Sequence, residues 1–571
     1  MTFNILHKKT TQIALLLLTG FLPLGCVQGQ LTNTSGHEYR NGMVVCAYPD
    51  ASKAGLAILQ KGGNAVDAAV AVQFALAVTL PEAGNIGGGG FMVYRGADGQ
   101  TNTLDFREKA PAGATTNMYL DSAGNVIPDM SLYTHKASGV PGSVDGMVTA
   151  HKKYGKLDWA VLLQPAIDLA TNGFKITKHL AADLNRNQAI FKKLNPGKTY
   201  LQKDTPWQEG DVLTQPDLAK TLELIRDKGR DGFYDGPVAD ALVAEMKKGD
   251  GLITKADLTN YHAVWRNAIT GNYKGYKIIT MPPPSSGGIA LLQLLKSVEK
   301  YPIQKWGHNQ DSTVQVMVEA ERRVYADRSK YLGDPDFYKV PVDSLLNPVY
   351  LDNRMKSLNW NAATPSTSIQ PGAFIGYESD QTTHYSIVDH DGNAVSITTT
   401  LNDSFGSKIF VAGAGFLLNN EMDDFSSKPG VPNMFGLIGG KANSIQPGKR
   451  MLSSMTPTIV EKDGQLFMVI GTPGGATIMT SVFQTILNVI DFDQDMQQAV
   501  TSKRFHSQWL PDNVEIEAGA LDTLTRQKLV KKGYKIIDYR PIGRVDAILK
   551  TKWGYYDGGA DPRGDDTKLG W

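Results

Sequence analysis

The chain has 571 residues, with 58 lysines and arginines against 57 aspartates and glutamates. That balance leaves no basic footprint for nucleic acid. Its length admits several domains or one large layered fold, and 58 glycines suit the tight turns of a layered α/β protein better than a helical bundle. Cys26 and Cys46 are the two cysteines. Cys26 falls at a processing site, so no disulfide framework is expected and Cys46 reads as a small buried hydrophobe.

Lys8 and Lys9 precede an apolar run over 13–24. The run is too short to span a bilayer and has the pattern of a secretory signal. Leu22-Pro23-Leu24-Gly25-Cys26 matches a bacterial lipoprotein processing box, except that Pro23 stands where Ala or Ser is usual. Val27-Gln28-Gly29 offers plain cleavage after Gly29 instead. Either way the expectation is an exported chain: residues 1–25 as signal, then a periplasmic protein or one held at the outer membrane by a lipid on Cys26.

Residues 43–47 read as a first strand and 51–60 as a short helix ending at Gly62-Gly63. Residues 65–79 are apolar on nearly every face, which predicts a buried helix. The run Asn85-Ile86-Gly87-Gly88-Gly89-Gly90-Phe91 lacks the Lys-Ser/Thr of a phosphate loop, so close backbone packing or a tight bend is expected. Residues 91–95 and 103–106 form a strand pair, and Arg107 leaves its end. An arginine there can clamp a carboxylate with two parallel bonds, or form an ordinary ion pair. Residues 143–270 read as a mostly helical, polar lobe. Helices follow from 287 to 299 and over 313–330, and the polar stretch 360–381 suits an exposed segment.

Gln381-Thr382-Thr383-His384-Tyr385-Ser386 comes next. Residues 383–388 and 394–400 read as a hairpin about Asp391. Symmetric pairing sets Thr382 opposite Thr400, with Cβ atoms roughly 4.5–5.5 Å apart, and Asn402 on the same face. A hydroxyl becomes a useful nucleophile beside a base, and an N-terminal threonine carries one in its own α-amine, with a reference pKa of about 7.7–8. Thr382 acquires that amine if the bond after Gln381 is cut. An ordinary Thr-rich strand pair would give the same pattern.

Downstream, Asn419-Asn420-Glu421-Met422-Asp423-Asp424-Phe425 gathers acids that could handle protons, bind an ammonium or face solvent. Residues 429–443, including Phe435, form a long Gly/Pro/Asn loop of the kind used as lids. Ser453 and Ser454 precede a second hairpin turning at Asp463-Gly464. Its return strand runs into Gly471-Thr472-Pro473-Gly474-Gly475, with a helix over 476–490. Consecutive glycines at a helix start can present N–H groups to an oxyanion, or simply make a tight turn.

Taken together, Asn85 to Phe91, Asp105-Phe106-Arg107-Glu108, residues 281–288, Thr382 to Ser386, Asn419 to Phe425, Leu452-Ser453-Ser454-Met455 and Gly474-Gly475 resemble the γ-glutamyltransferases, or glutathione hydrolases, of the N-terminal nucleophile superfamily. The resemblance runs from about Gly42 to Asp561-Pro562-Arg563. It implies a four-layer αββα sandwich in which a large subunit, 26–381, and a small catalytic subunit, 382–571, of one self-cleaved precursor interleave as a single domain. It implies Thr382 as nucleophile and base, Thr400 as its orienting partner, and Gly474 and Gly475 as oxyanion hole. Arg107, Ser453 and nearby Ser454 would hold the glutamyl α-carboxylate, and Asn402, Glu421 and Asp424 its α-amine. Phe435 replaces a tyrosine common in the lid of the family, which would bond the residue matching Asn402. The implied reaction passes a γ-glutamyl group from glutathione or related amides to water or to an amino acid or peptide, without cofactor or metal. A glutaryl acylase of the same fold is the nearest alternative, and an exported binding protein that has lost chemistry is another.

Overall fold

A computed structural model describes residues 39–197, 199–370, 381–428 and 440–571. Cys26 and the rest of the signal region, and Phe435 with most of its loop, lie outside these residues.

Two antiparallel sheets stack face to face. The first has seven strands in the order Thr567–Gly570, Met43–Cys46, Gln381–Val388, Ala394–Asn402, Gly89–Arg95, Thr101–Asp105 and Val264–Arg266. The second has six, in the order Tyr556–Gly559, Asp546–Lys550, Gln465–Gly471, Thr458–Lys462, Tyr276–Thr280 and Ile269–Tyr273. Alternate side chains point inward from both, and Val45, Phe91, Val93, Ile279, Val469 and Ile548 share the core between them. Helices cover the outer faces. Pro49–Gln60, Ala65–Thr79 and Trp159–Asn172 belong to one outer core. Gly287–Val298, Asp311–Tyr331 and Thr477–Ile490 belong to the other. The result is the expected αββα sandwich.

Local sequence accounts for the key elements. Asn64 and Asp67 form a reciprocal capping box at the start of Ala65–Thr79, and every residue of that helix is buried, as its unbroken apolarity requires. The hairpin between Gln381–Val388 and Ala394–Asn402 turns at Asp389, whose N–H donates to the Asn393 carbonyl at 3.1 Å. Both flanking strands lie in the middle of the first sheet, and all nine residues of Ala394–Asn402 are buried. Each sheet contains strands from before and after the Gln381–Thr382 junction, so neither sheet is complete without both parts of the chain.

Two features depart from the sequence reading. The segment over 143–270 is helical for most of its length, but it closes with the strands Val264–Arg266 and Ile269–Tyr273, which form an edge of each sheet. Edge strands with one polar face carry too weak a period for a helical trend to reveal them. The stretch after Ile490 supplies a three-stranded sheet and three strands of the main sheets. Most of these are four residues or shorter, which leaves little periodicity to read.

Cys46 is buried and near Ser52 Oγ at 3.0 Å. Burial pushes its thiol up to about 12, so it is inert and apolar in character.

Candidate active site

Thr382 lies one residue into the strand Gln381–Val388 and is 8% exposed. The hairpin register follows the predicted symmetry as far as Thr399, opposite Thr383, and then slips, so that Asn402 faces Gln381. The bulge falls at Thr400 and Leu401. Thr400 therefore stands beside Thr382 in an interrupted ladder rather than in a simple cross-strand pair. Its Oγ1 accepts the Asn402 N–H at 2.8 Å, and Asn402 takes a left-handed conformation with φ of +78°. A bulge re-aims the side chains next to it, and this one turns the strand end toward the acidic turn.

The glycine run explains why the bulge is held. A Cβ on Gly88 would lie 2.0 Å from the Thr400 carbonyl oxygen, and one on Gly90 would lie 2.3 Å from that of Thr398. The backbones meet at a distance no side chain would permit. Asn85 fastens the contact. Its Nδ2 donates to the Thr400 carbonyl at 2.9 Å and to Thr399 Oγ1 at 3.2 Å, while its Oδ1 accepts from the Gly88 N–H and from Ser143 Oγ. Asn85 is thus a positioning residue that sequence reasoning saw only as the start of a glycine run.

The acidic turn is stitched to the same place. Asn402 Nδ2 donates to the Asn420 carbonyl at 3.0 Å, and the Asn420 N–H donates to the Leu401 carbonyl at 3.1 Å. Asn419 accepts the Glu421 and Gly139 N–H groups and donates to the Gly87 and Gly139 carbonyls. The short helical turn Glu421–Asp424 is buried throughout.

There the turn meets Arg107. One terminal nitrogen lies 2.6 Å from Glu421 and 3.5 Å from Glu108, and the other lies 2.5 Å from Asp424 and donates to the Leu452 carbonyl at 3.2 Å. Arg107 is 1% exposed. Groups expected to hold opposite ends of a ligand thus hold one another, and Arg107 bridges both acids. Burial pushes the Glu108 carboxyl up to about 8, against the pull of Arg107. Burial likewise lifts Asp423 to about 7, against the hydrogen bond from Ser131. Both are therefore harder to ionise than ordinary carboxylates.

Ser453 and Ser454 follow the Leu452 carbonyl that Arg107 contacts. Ser453 Oγ accepts the Met455 N–H at 3.2 Å, and its backbone is held by Pro284 and Ser286. Ser454 Oγ accepts from Arg328 at 3.2 Å. Arg328 is buried and also donates to Ser286 Oγ. It lies deep in a helix whose pattern gave no chemical signal.

Gly474 and Gly475 sit between the strand Gln465–Gly471 and the helix Thr477–Ile490. Their φ angles are +134° and +54°, which favour glycine at both positions. Gly474 and Thr382 line a common cleft. Among the described residues, neither glycine N–H is taken by a protein acceptor. The cleft is walled by Glu82, Arg540, Arg544 and Arg563, none of which sequence reasoning singled out for a role.

A threonine near a strand start, between two stacked antiparallel sheets with helices outside, defines the fold of the N-terminal nucleophile hydrolases. The sequence profile described as Gamma-glutamyltranspeptidase matches residues 51–571. The chain is 48% identical to the glutathione hydrolase proenzyme of Escherichia coli (strain K12), over 93% of this chain and 92% of that protein. It is 50% identical to the glutathione hydrolase proenzyme of Pseudomonas sp. (strain A14), over 89% of each. Among solved structures, a cephalosporin acylase from Bacillus halodurans superposes with a TM-score of 0.82 at 28% identity, covering 94% of this chain and 96% of that one. The chain belongs to the γ-glutamyltranspeptidase family.

Proposed function

We propose that the chain is an exported, self-cleaving γ-glutamyltransferase and glutathione hydrolase. Thr382 Oγ attacks the Gln381 carbonyl, the peptide bond shifts to an ester, and water releases a small chain with Thr382 at its N-terminus. The new α-amine then serves as base for the same hydroxyl. Thr382 attacks the γ-glutamyl amide, the leaving amine departs with a proton, and the ester passes to water or to an acceptor amine. Thr400 orients the hydroxyl, and Gly474 and Gly475 stabilise the oxyanion. Export, with or without a lipid on Cys26, is read from residues 8–29.

The observation that carries the γ-glutamyl reading is the contact of Arg107 with both Glu421 and Asp424. A γ-glutamyl donor brings an α-carboxylate and an α-ammonium together. Its carboxylate can take the place of the acids on Arg107, with help from Ser453 and Ser454. Its ammonium can then take Glu421, Asp424 and Asn402, so no buried charge is left alone. A glutaryl donor lacks the ammonium and would leave two carboxylates facing an apolar methylene. The higher identity to glutathione hydrolases than to the superposed acylase supports the same choice.

The test combines two measurements on the purified protein. N-terminal sequencing should find a small chain beginning at Thr382. γ-Glutamyl-p-nitroanilide should be turned over far faster than glutaryl-p-nitroanilide, in favourable cases by about 10⁴–10⁵. Equal kcat/KM for the two donors would hand the assignment to an acylase.

A further inference from the structure

The segment 281–288 is fastened along residues 453–456. The Ser286 N–H and Oγ both donate to the Ser453 carbonyl, at 2.6 and 2.7 Å. The Ser453 N–H donates to the Pro284 carbonyl at 3.1 Å, and Ser285 Oγ donates to that of Met455 at 2.6 Å. A Cβ on Gly287 would lie 2.1 Å from Thr456 Oγ1, so the two backbones pack without room for a side chain. Arg328 reaches this junction from the helix Asp311–Tyr331. Its Nε donates to Ser286 Oγ at 2.8 Å, and a terminal nitrogen donates to Ser454 Oγ at 3.2 Å. Arg328 is 2% exposed, and Ser286 and Ser454 are fully buried.

A guanidinium carries N–H donors, no acceptor and a permanent charge. A hydroxyl bonded to it must accept, and must turn its own proton elsewhere. Ser286 does so within the fold, accepting from Arg328 and donating to the Ser453 carbonyl. Ser454 Oγ also accepts from Arg328, yet among the described residues no protein acceptor takes its proton. The same holds for the neighbouring Ser453, whose Oγ accepts the Met455 N–H at 3.2 Å. Two adjacent buried hydroxyls are thus set as donors with no protein partner for the proton. Buried donors are almost always satisfied, so the acceptor should arrive with the ligand.

We propose that Arg328 is a positioning residue that fixes the Ser454 hydroxyl as a hydrogen-bond donor to the α-carboxylate of the glutamyl group. The identity of that carboxylate rests on the γ-glutamyl reading. Arg107 and Arg328 then have different tasks. Arg107 donates to the Leu452 carbonyl and lies among acids that a carboxylate can displace. Arg328 acts through a hydroxyl. Without it, the Ser454 hydroxyl could rotate and present a lone pair to the incoming carboxylate. With it, the hydroxyl accepts from a cation and donates to an anion, and each bond polarises the other. Arg328 precedes the Gln381–Thr382 junction and Ser454 follows it, so in a cleaved protein this contact joins the two chains.

The test is a double-mutant cycle on the mature protein with γ-glutamyl-p-nitroanilide as donor. Ser454→Ala and Arg328→Met should each raise KM about ten-fold, with smaller changes in kcat. Combined, they should fall well short of the roughly hundred-fold product of independent effects, because Arg328 acts through the hydroxyl already removed. Arg328→Lys keeps a charged donor and should recover most of the loss. If Arg328→Met does not mature into two chains, Arg328→Gln serves in the same cycle, since its amide keeps bulk without charge. Independent effects in the cycle, or a loss confined to kcat, would overturn the role of Arg328 and leave the γ-glutamyl reading intact. Equal kcat/KM of the wild type for γ-glutamyl- and glutaryl-p-nitroanilide would instead overturn that reading. The cycle, run with the glutaryl donor and its own carboxylate, would still decide whether Arg328 acts through Ser454.

Discussion

On one side of Thr382, Arg107 is buried between Glu421 and Asp424. On the other, Arg540 stands on the wall of a cleft beside Arg544 and Arg563, which are held by carboxylates buried behind them. The first region keeps its charges paired and away from water, so a ligand must replace each partner it displaces. Such a site selects sharply, because an incomplete ligand leaves a buried charge uncompensated. The second region faces solvent, where attraction is screened and geometry is less demanding. Thr382 is thus flanked by a buried region of paired charges on one side and an open, cationic cleft on the other.

The largest expected effect breaks the centre that the two regions share. Thr382→Ala should leave one uncut chain without turnover, because no hydroxyl remains to attack either carbonyl. Efficient appearance of two chains on a denaturing gel of that variant would remove the self-cleavage mechanism.

Next comes the strict side. Asp424→Ala deletes one partner of a buried arginine, a change that costs about 3–5 kcal/mol where nothing compensates. Turnover of γ-glutamyl-p-nitroanilide should fall by roughly three orders of magnitude. That of glutaryl-p-nitroanilide should fall much less, because it never used the carboxylate. Parallel losses measured for the two donors would contradict an ammonium site at Asp424.

Gly474→Ala acts where both regions meet. A Cβ there would approach Thr477 Oγ1 to 2.5 Å, and φ is +134°, so the turn must shift and carry its N–H with it. Loss of one oxyanion donor lowers kcat by about 10²–10³, with little change in KM. Steady-state kinetics showing a rise in KM at constant kcat would place Gly474 in binding instead.

The smallest effect concerns the open side and is read from stability. Burial first, then the neighbouring Asp183 carboxyl, push Glu82 up from 4.5 to about 8. A carboxyl raised on folding stabilises the protein below its unfolded value, and that contribution is lost as pH rises through the folded value. Glu82→Gln cannot ionise, so its melting temperature should fall less than that of the wild type between pH roughly 5 and 8.5. Above pH 8 the variant should be the more stable of the two. Superimposable melting curves across that range would mean Glu82 titrates normally.

Much of this molecule was legible in the sequence where the signal is local. The hairpin turn at Asp389, the buried helix Ala65–Thr79 and the glycine turn before Thr477 follow from turn chemistry, unbroken apolarity and glycine pairs. The glycine run itself pointed to close backbone packing or a tight bend, and Gly88 and Gly90 supply the close packing, against the hairpin. The register slip at Thr400 was not, because it depends on Asn85 reaching across 315 positions to the Thr400 carbonyl.

The sequence by itself determined which chemical groups are present and which short segments form strands, helices and turns, since these depend on neighbours within a few residues. It also held the family resemblance, in motifs each of which is locally complete. Only the tertiary structure decided that Arg107 lies against Asp424, 317 positions away, and that Arg540 and Arg563 wall a cleft beside Thr382. Charges have no period along the chain. Their partners are chosen by how the two sheets stack and where the chain returns, and burial then fixes what each pairing is worth.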